Sequence, residues 1–557
     1  MTADPTTAGP TTAAPDPAGW YARAFVEAVP RALTLLDRDR TSPTYGSFDR
    51  NHWHYRTQDF PSGMYQEYAL ALAQAHAHDL PGNRFRGEPR LREWAVAAAR
   101  FAARSAHADG SCDDYYPNER ALGATAFSAA ACTGALLLLG ERPADLVAFE
   151  ARRARWLLGR EESGRLANHQ ALAALAAARA ARLARDPSLA RRARERLETC
   201  LSWQHAEGWF DEYGGADPGY QTLTLAFLSA FRAEEETDVP GLSEALARGA
   251  RFLAHFVHPD GTIGGEHGSR NTAQVLPSGL ERLAATLPEA RHAADAWLAA
   301  AAAGRRAHAD DDRLLSHSLV DWPVAHAARA ARAARGEGAR AADAWRPPEG
   351  VSDFPGAGLL VARERGLTVV VATRKGGAFR AYRGDRLLRN DTGLVALGED
   401  GARLATHLSD PEARVERGPS SVTVSGRFFR APRRLATPLR QVAFRLGTAT
   451  VGRVAPDLVR RVLQRALITE RRPGGLTFER TIDWSGPGLR VVDRVVSGPG
   501  APRVASLHAP SDATSGYVAA SQAFQEASLL PWEEEAFAGA GDALRASGAC
   551  EVSRSWS

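Results

Sequence analysis

Five short polar segments hold most of the residues in this chain that could do chemistry. They are QDFPSGMYQE up to Glu67, DDYYPNER around Glu119, SGRLANHQ around His169, GGADPGYQ around Tyr220 and GGEHGSRN around Arg270. Within them an amide and an imidazole stand side by side, Asn168-His169, followed by the phenol Tyr220 and the guanidinium Arg270. These types suit proton transfer beside an anion. An amide and an imidazole at a helix start address a negative group, and an arginine fork matches a carboxylate. Imidazole titrates near neutrality. A phenol with a pKa of about 10 donates a proton, or accepts one if cationic neighbours lower it. Each residue also has a plainer use. Asn168 suits an N-cap, with His169 at the first helical position. Tyr220 could seal a rim, and Arg270, set against a helix dipole at a helix start, could answer a buried acid.

The marker residues of the five segments fall 50 to 52 residues apart. That length fits two helices and two connections. From about 18 to 335 the chain reads as helix after helix, with apolar residues at i, i+3, i+4 and i+7 in RLREWAVAAARFAARSAHA, HQALAALAAARAARLAR and LSEALARGARFLAHFV. Each period is therefore one helical hairpin, and every second connection returns to the same end of the stack. An open solenoid would string the polar loops along a ridge. An α/α toroid, an incomplete barrel of hairpins, would bring them to one cleft, and the chemically rich loops favour it. From 351 to 557 the pattern changes to period two, in SSVTVSGRFFR, LTFERTIDW and LRVVDRVVSGPG, which predicts an antiparallel β-sandwich. Residues 336–350 read as a linker and 1–17, rich in Thr, Pro and Ala, as a disordered leader.

The rim loops also offer Gln66, Tyr116, Asn118, Glu266 and His267 as sugar-binding groups, while Glu67, Glu119 and Arg120 read as structural. Aromatic rings beside amides and carboxylates are common in sugar sites. Composition excludes several classes. A net charge of +4 over 557 residues, with no long basic run, gives no reason to expect nucleic acid. Four scattered cysteines form no CxxC pair, so neither a zinc knuckle nor a disulfide framework is expected. The basic residues are almost all arginine, a bias of the kind a GC-rich genome produces; Lys375 is the sole lysine. No basic start precedes an apolar segment at the N-terminus, and ATAFSAAACTGALLLLG reads as a buried helix, so the expectation is a soluble, cytoplasmic protein without a membrane partner.

The order Asn-His, DPGYQ, GSRNT and then a strand-rich half, with YYPNERALGATAFS and FPGAGLLVARERGLTVVV, resembles the heparinase II/III-like superfamily of polysaccharide lyases, which includes oligoalginate lyases. The resemblance spans most of the chain and rests on the order of short motifs. It implies an α/α toroid followed by a β-sandwich, β-elimination at a uronic acid, no required cofactor, and an acidic poly- or oligosaccharide as substrate; the histidine and aspartate that hold a structural zinc in some relatives have no evident match here, so no metal is expected. It implies that Asn168 and His169 neutralise the C6 carboxylate, with His169 or Tyr220 taking the C5 proton and Tyr220 protonating the departing O4. The family's sheet domain usually adds a histidine in a Gly-x-His-x-His-x-Asp segment. The stretch RKGGAFRAYRGDRLLRNDTG has none, and Lys375, Arg380, Tyr382 or Arg383 stands on that side instead; His407 and His508 read as structural. Two other functions share the resemblance: a glucuronyl C5-epimerase, and a non-catalytic glycan-binding or scaffold protein of polysaccharide biosynthesis.

Overall fold

The computed structural model describes residues 17–162, 164–235, 239–305, 312–336, 345–431, 436–464, 471–511 and 534–557. All but Pro17 of the expected leader, and 337–344 of the expected linker, lie outside them.

The helical half is a double ring. Its inner helices are Tyr68–Ala77, Leu122–Leu139, Ala167–Ala184, Pro218–Glu234, Ser278–Leu283 and Asp312–Ala334, each packed on the next. The outer helices Pro89–Ser105, Ala144–Leu158, Pro187–Leu201, Leu242–Ala254 and Pro288–Ala302 back the first five, and Trp20–Leu35 backs the last. The division follows from composition. Leu122–Leu139 and Ala167–Ala184 are alanine- and leucine-rich on every face and nearly all buried. The outer helices bury one stripe and show arginine to solvent. Leu122–Leu139 is long and apolar enough to cross a membrane, and here it is a buried inner helix. Proline in the first turn starts several helices, with Glu88 and Asp186 capping theirs.

The expected α/α toroid of hairpins is present, and its last inner helix meets its first. Gln74 Nε2 donates to the Val320 carbonyl at 3.1 Å, and His317 Nδ1 meets the Glu67 carboxylate at 2.5 Å. The N-terminal helix completes the outer layer, through Arg31 to Asp312 at 2.7 Å and Tyr21 to Glu281 at 3.0 Å.

The second half is a sandwich of two antiparallel sheets. The first is a meander of β1 Gly350–Phe354, β2 Leu359–Glu364, β3 Leu367–Ala372, β4 Ala378–Arg383 and β5 Arg386–Asp391. The second holds β6 Val395–Gly398, β7 Arg403–Ala405, β8 Arg414–Arg417, β9 Ser421–Arg430, β10 Pro473–Asp483, β11 Leu489–Ser497, β12 Val504–Pro510, β13 Glu534–Ala536 and β14 Ala549–Trp556, in the order β13-β12-β6-β7-β9-β10-β11-β14 with β8 beside β9. One face of the meander packs on the second sheet through Leu360, Val369, Val371 and Phe379. Its other face packs on the ring, with Leu359, Val361 and Val370 against Trp209, Phe252 and Phe256. Covered on both faces, β3 is buried at all six positions, which explains its unbroken run LTVVVA.

Helices interrupt this half at two places: a short one, Ala540–Ser547, precedes β14, and a longer insertion comes earlier. Between β9 and β10 the chain forms a helical hairpin, Pro438–Val454 and Pro456–Gln464. Thr437 caps the first helix and Pro438 opens it. The hairpin reaches back to the ring, where Phe444 meets the Tyr116 ring at 5.6 Å and the Thr448 carbonyl accepts from Asn118 Nδ2 at 3.2 Å.

Candidate active site

A cleft of about 920 Å³ opens where the ring's rim, the sheet domain and the helical hairpin meet. Asn168, His169, Tyr220 and Arg270 all line it.

Asn168 and His169 enter from the first turn of Ala167–Ala184. Leu166 is the N-cap, so the capping role expected for Asn168 falls elsewhere. Glu212, from the next rim loop, does the capping: its Oε1 accepts from the Asn168 backbone at 2.9 Å, and its carboxylate accepts from Asn168 Nδ2 at 2.9 Å. The carboxamide is thereby fixed, with Oδ1 buried and unmatched by any hydrogen bond among the described residues. Glu212 is buried and accepts only neutral donors, so burial pushes its pKa up to about 7.

His169 Nδ1 meets Glu162 Oε2 at 2.8 Å. Burial is the largest single influence and lowers the imidazole pKa, but the Glu162 charge and hydrogen bond, with the Glu212 charge, together outweigh it and hold the value above the usual one. With Nδ1 fixed, Nε2 is the nitrogen left for a substrate. The ring lies flat on Gly123, where a Cβ would come within 2.8 Å of Cε1. Only glycine fits there.

Tyr220 sits in the first turn of Pro218–Glu234. Asp217 caps that helix, accepting from Tyr220 N at 3.0 Å, and its second oxygen accepts from Arg270 N at 2.8 Å. One buried carboxylate thus sets the positions of both residues. The Arg270 guanidinium lies 4.2 Å from the centre of the Tyr213 ring and 5.4 Å from that of Tyr220. Tyr213 is held at φ +56°, a left-handed conformation costing a tyrosine about 1–2 kcal/mol. Burial raises the Tyr220 pKa to about 12, although Arg270 pulls against it. Cationic neighbours therefore do not lower the phenol below its ordinary value, and Tyr220 is poised as an acid. Arg270 is not at a helix start either: it sits in an irregular loop before Ser278–Leu283, so no dipole opposes it.

Other expected site residues lie elsewhere or are already engaged. Gln66 is buried, with Nε2 on the Gly46 and Ala98 carbonyls at 3.0 and 2.9 Å. Asn118 touches the hairpin rather than lining the cleft. Glu266 faces the sheet domain, accepting from Arg380 at 2.7 Å and Asn390 at 3.1 Å. His267 is buried beside His258 and Phe256. Arg383 binds the carbonyls of Arg365 and Pro487 on the far side of the meander. Tyr116 lines the cleft. Lys375 does too, but its ammonium donates to the Glu266 and Gly268 carbonyls at 2.7 and 2.6 Å and to Asn271, so it clamps the Arg270 loop. Burial lowers Lys375 to about 8. His407, read as structural, also forms part of the cleft wall. Glu162, Glu212 and Tyr213 were missed by sequence reasoning. Tyr213 was visible in the rim loop seven residues before Tyr220, whereas nothing local marks the two acids.

The chain has a polysaccharide lyase-like fold: an α/α toroid followed by an antiparallel β domain. Among solved structures it is similar to a Paenibacillus xanthan lyase, with a TM-score of 0.54 and 12% identity over 90% of this chain and 47% of that one. It is also similar to a Streptomyces coelicolor chondroitin AC lyase in complex with chondroitin sulphate, with a TM-score of 0.54 and 14% identity over 91% of this chain and 69% of that one. The chain thus spans about half the length of the xanthan lyase. No protein-family model and no curated protein sequence matches it.

Proposed function

We propose that this protein cleaves a uronic-acid-containing poly- or oligosaccharide by β-elimination. The observation that carries the reading is the meeting of a carboxylate-paired imidazole, a protonated phenol under a guanidinium and a fixed carboxamide in one cleft. His169 Nε2, in its neutral form, takes the C5 proton. The C5–H electron pair becomes the C4–C5 double bond, the C4–O4 bond breaks, and the Tyr220 hydroxyl protonates O4. Arg270 lies beside the phenolate left behind and beside the uronate carboxylate. Charge placed where charge develops is the largest part of such catalysis. Glu162 and Glu212 act as positioning residues for His169 and Asn168. If O4 did not depart, removal of the C5 proton by one of these residues and its return to the opposite face of the ring by another would be epimerisation.

The test is incubation with uronate polymers, following ultraviolet absorbance of the unsaturated uronate. Release of that product supports elimination. Deuterium uptake at C5 without cleavage would make the protein an epimerase, and binding with neither would make it a glycan-binding protein.

A further inference from the structure

The hairpin inserted between β9 and β10 brings arginines to the cleft that the elimination does not use. Arg440 on its first helix, Arg460 on its second and Arg471 just before β10 all line the cleft. Arg460 is held by Asp457 at 2.8 Å, and Asp457 also receives Arg160 of the ring at 2.6 Å, which ties the hairpin to the rim. Arg445 to Asp59 is a second tie. Arg440 and Arg471 make no ion pair and no side-chain hydrogen bond among the described residues; Asp410 acts on Arg471 only through space.

The carboxylates facing the same space do not balance these cations. Asp114 is paired with Arg313 at 3.1 Å, Glu162 with His169 at 2.8 Å, and burial pushes Glu119 up so that it resists ionising. Among the described residues, Arg440 and Arg471 are therefore left without a carboxylate paired to them. The hairpin side is also close to the chemistry, because the Arg460 charge reaches Glu162, the partner of His169. Guanidinium forks match the oxygens of sulphate and carboxylate groups, and pairs of this kind are the strong charge-assisted hydrogen bonds.

We propose that Arg440 and Arg471, beside Arg460, form a subsite for a second anionic substituent of the glycan, a sulphate half-ester or carboxylate on the sugar next to the reacting uronate. This rests on the reading of the cleft as a glycan site and narrows the substrate to chains carrying more than the reacting carboxylate.

The experiment measures binding by calorimetry in a Tyr220→Phe background, so that nothing is turned over. The probes are tetrasaccharides of chondroitin sulphate, desulphated chondroitin and alginate, whose every residue carries a carboxylate. Chondroitin sulphate or alginate is expected to bind at least about tenfold more tightly than desulphated chondroitin, the range of one charged hydrogen bond. Which of the two does so identifies the anion. In Arg440→Gln/Arg471→Gln the preference should fall below about twofold. Arg453→Gln, exposed on the same helix but away from the residues lining the cleft, should keep it. Equal affinity for all three probes, no binding of any, or a preference that survives in the double variant would overturn the subsite. A preference that depends on these arginines, in a wild-type protein that releases no unsaturated uronate, leaves the subsite standing and overturns the elimination instead.

Discussion

Two buried charged clusters in this molecule are built in opposite ways. In the sheet domain Arg480 and Arg554 each bridge Asp391 and Asp493, Arg480 at 2.7 and 2.6 Å and Arg554 at 2.7 and 2.6 Å. Every carboxylate has two guanidiniums. Burial alone would raise Asp391, but the paired cations outweigh it and hold it at about 2. Behind the cleft wall Glu212 is equally buried, yet its side chain accepts from the neutral N–H groups of Asn168. Burial wins there, and the group rises to about 7. The difference is the number of opposite charges per carboxylate. The first arrangement keeps Asp391 ionised across the working range of pH, whereas the second leaves in Glu212 a carboxyl group that titrates near neutrality.

The largest effect is expected at the catalytic end of this comparison. Tyr220→Phe should lower kcat by about 10²–10⁴, the usual contribution of a general acid, with little change in melting temperature. A variant that keeps more than about a tenth of the wild-type rate of unsaturated uronate release would remove Tyr220 as the acid. At the structural end, Asp391→Asn leaves two buried guanidiniums short of a charge and should cost about 3–5 kcal/mol in denaturant unfolding. Folded variant should turn over at the wild-type rate. The pH dependence has a definite sign. The folded pKa of Asp391 lies below the unfolded value of about 3.9, so its stabilisation is complete above that value and is lost as pH falls through about 2.

Glu212 has the opposite sign. Its folded pKa is raised, so its share of stability is present below the unfolded value of about 4.3 and is lost as pH rises through about 7. Glu212→Gln escapes that loss and should be more stable than wild type above pH 7 by about 1–3 kcal/mol, while turning over roughly tenfold more slowly because Asn168 is held less firmly. A variant less stable than wild type at that pH would show that Glu212 is ionised and well satisfied in the fold, erasing the contrast with Asp391.

These clusters also mark where the sequence is legible. The ring could be read because each inner and outer helix carries its own periodicity, and because loops recurring at one spacing must share a rim. That logic brought Asn168, His169, Tyr220 and Arg270 together across three loops. It failed inside the loops, where no periodicity sets the direction of a side chain: Glu266 and His267 turn toward the sheet domain although Arg270, three residues on, lines the cleft. It failed for Glu162 and Glu212, whose roles come from what they touch. The hairpin had a local signal, Thr437-Pro438 opening a run with Leu439, Val442 and Leu446 at helical spacing, that the surrounding strand pattern overrode.

The smallest effect separates the two acids of the cleft from each other. If His169 is the base, it must be neutral, so kcat/KM should rise with pH through a limb above the ordinary histidine value of about 6.5, because Glu162 holds the imidazole up. Glu162→Gln removes the main raising charge and leaves burial, which lowers the pKa. The limb should then move to lower pH, and the plateau should fall several-fold as the ring loses its anchor. Glu212 titrates near the same pH, so Glu212→Gln is the necessary partner measurement. The Glu212 charge also raises His169, by less than Glu162 does, so a limb that moves further with Glu162→Gln than with Glu212→Gln assigns it to His169. A limb that stays with Glu162→Gln and vanishes with Glu212→Gln would shift the proton that matters from the imidazole to the carboxyl group that holds Asn168.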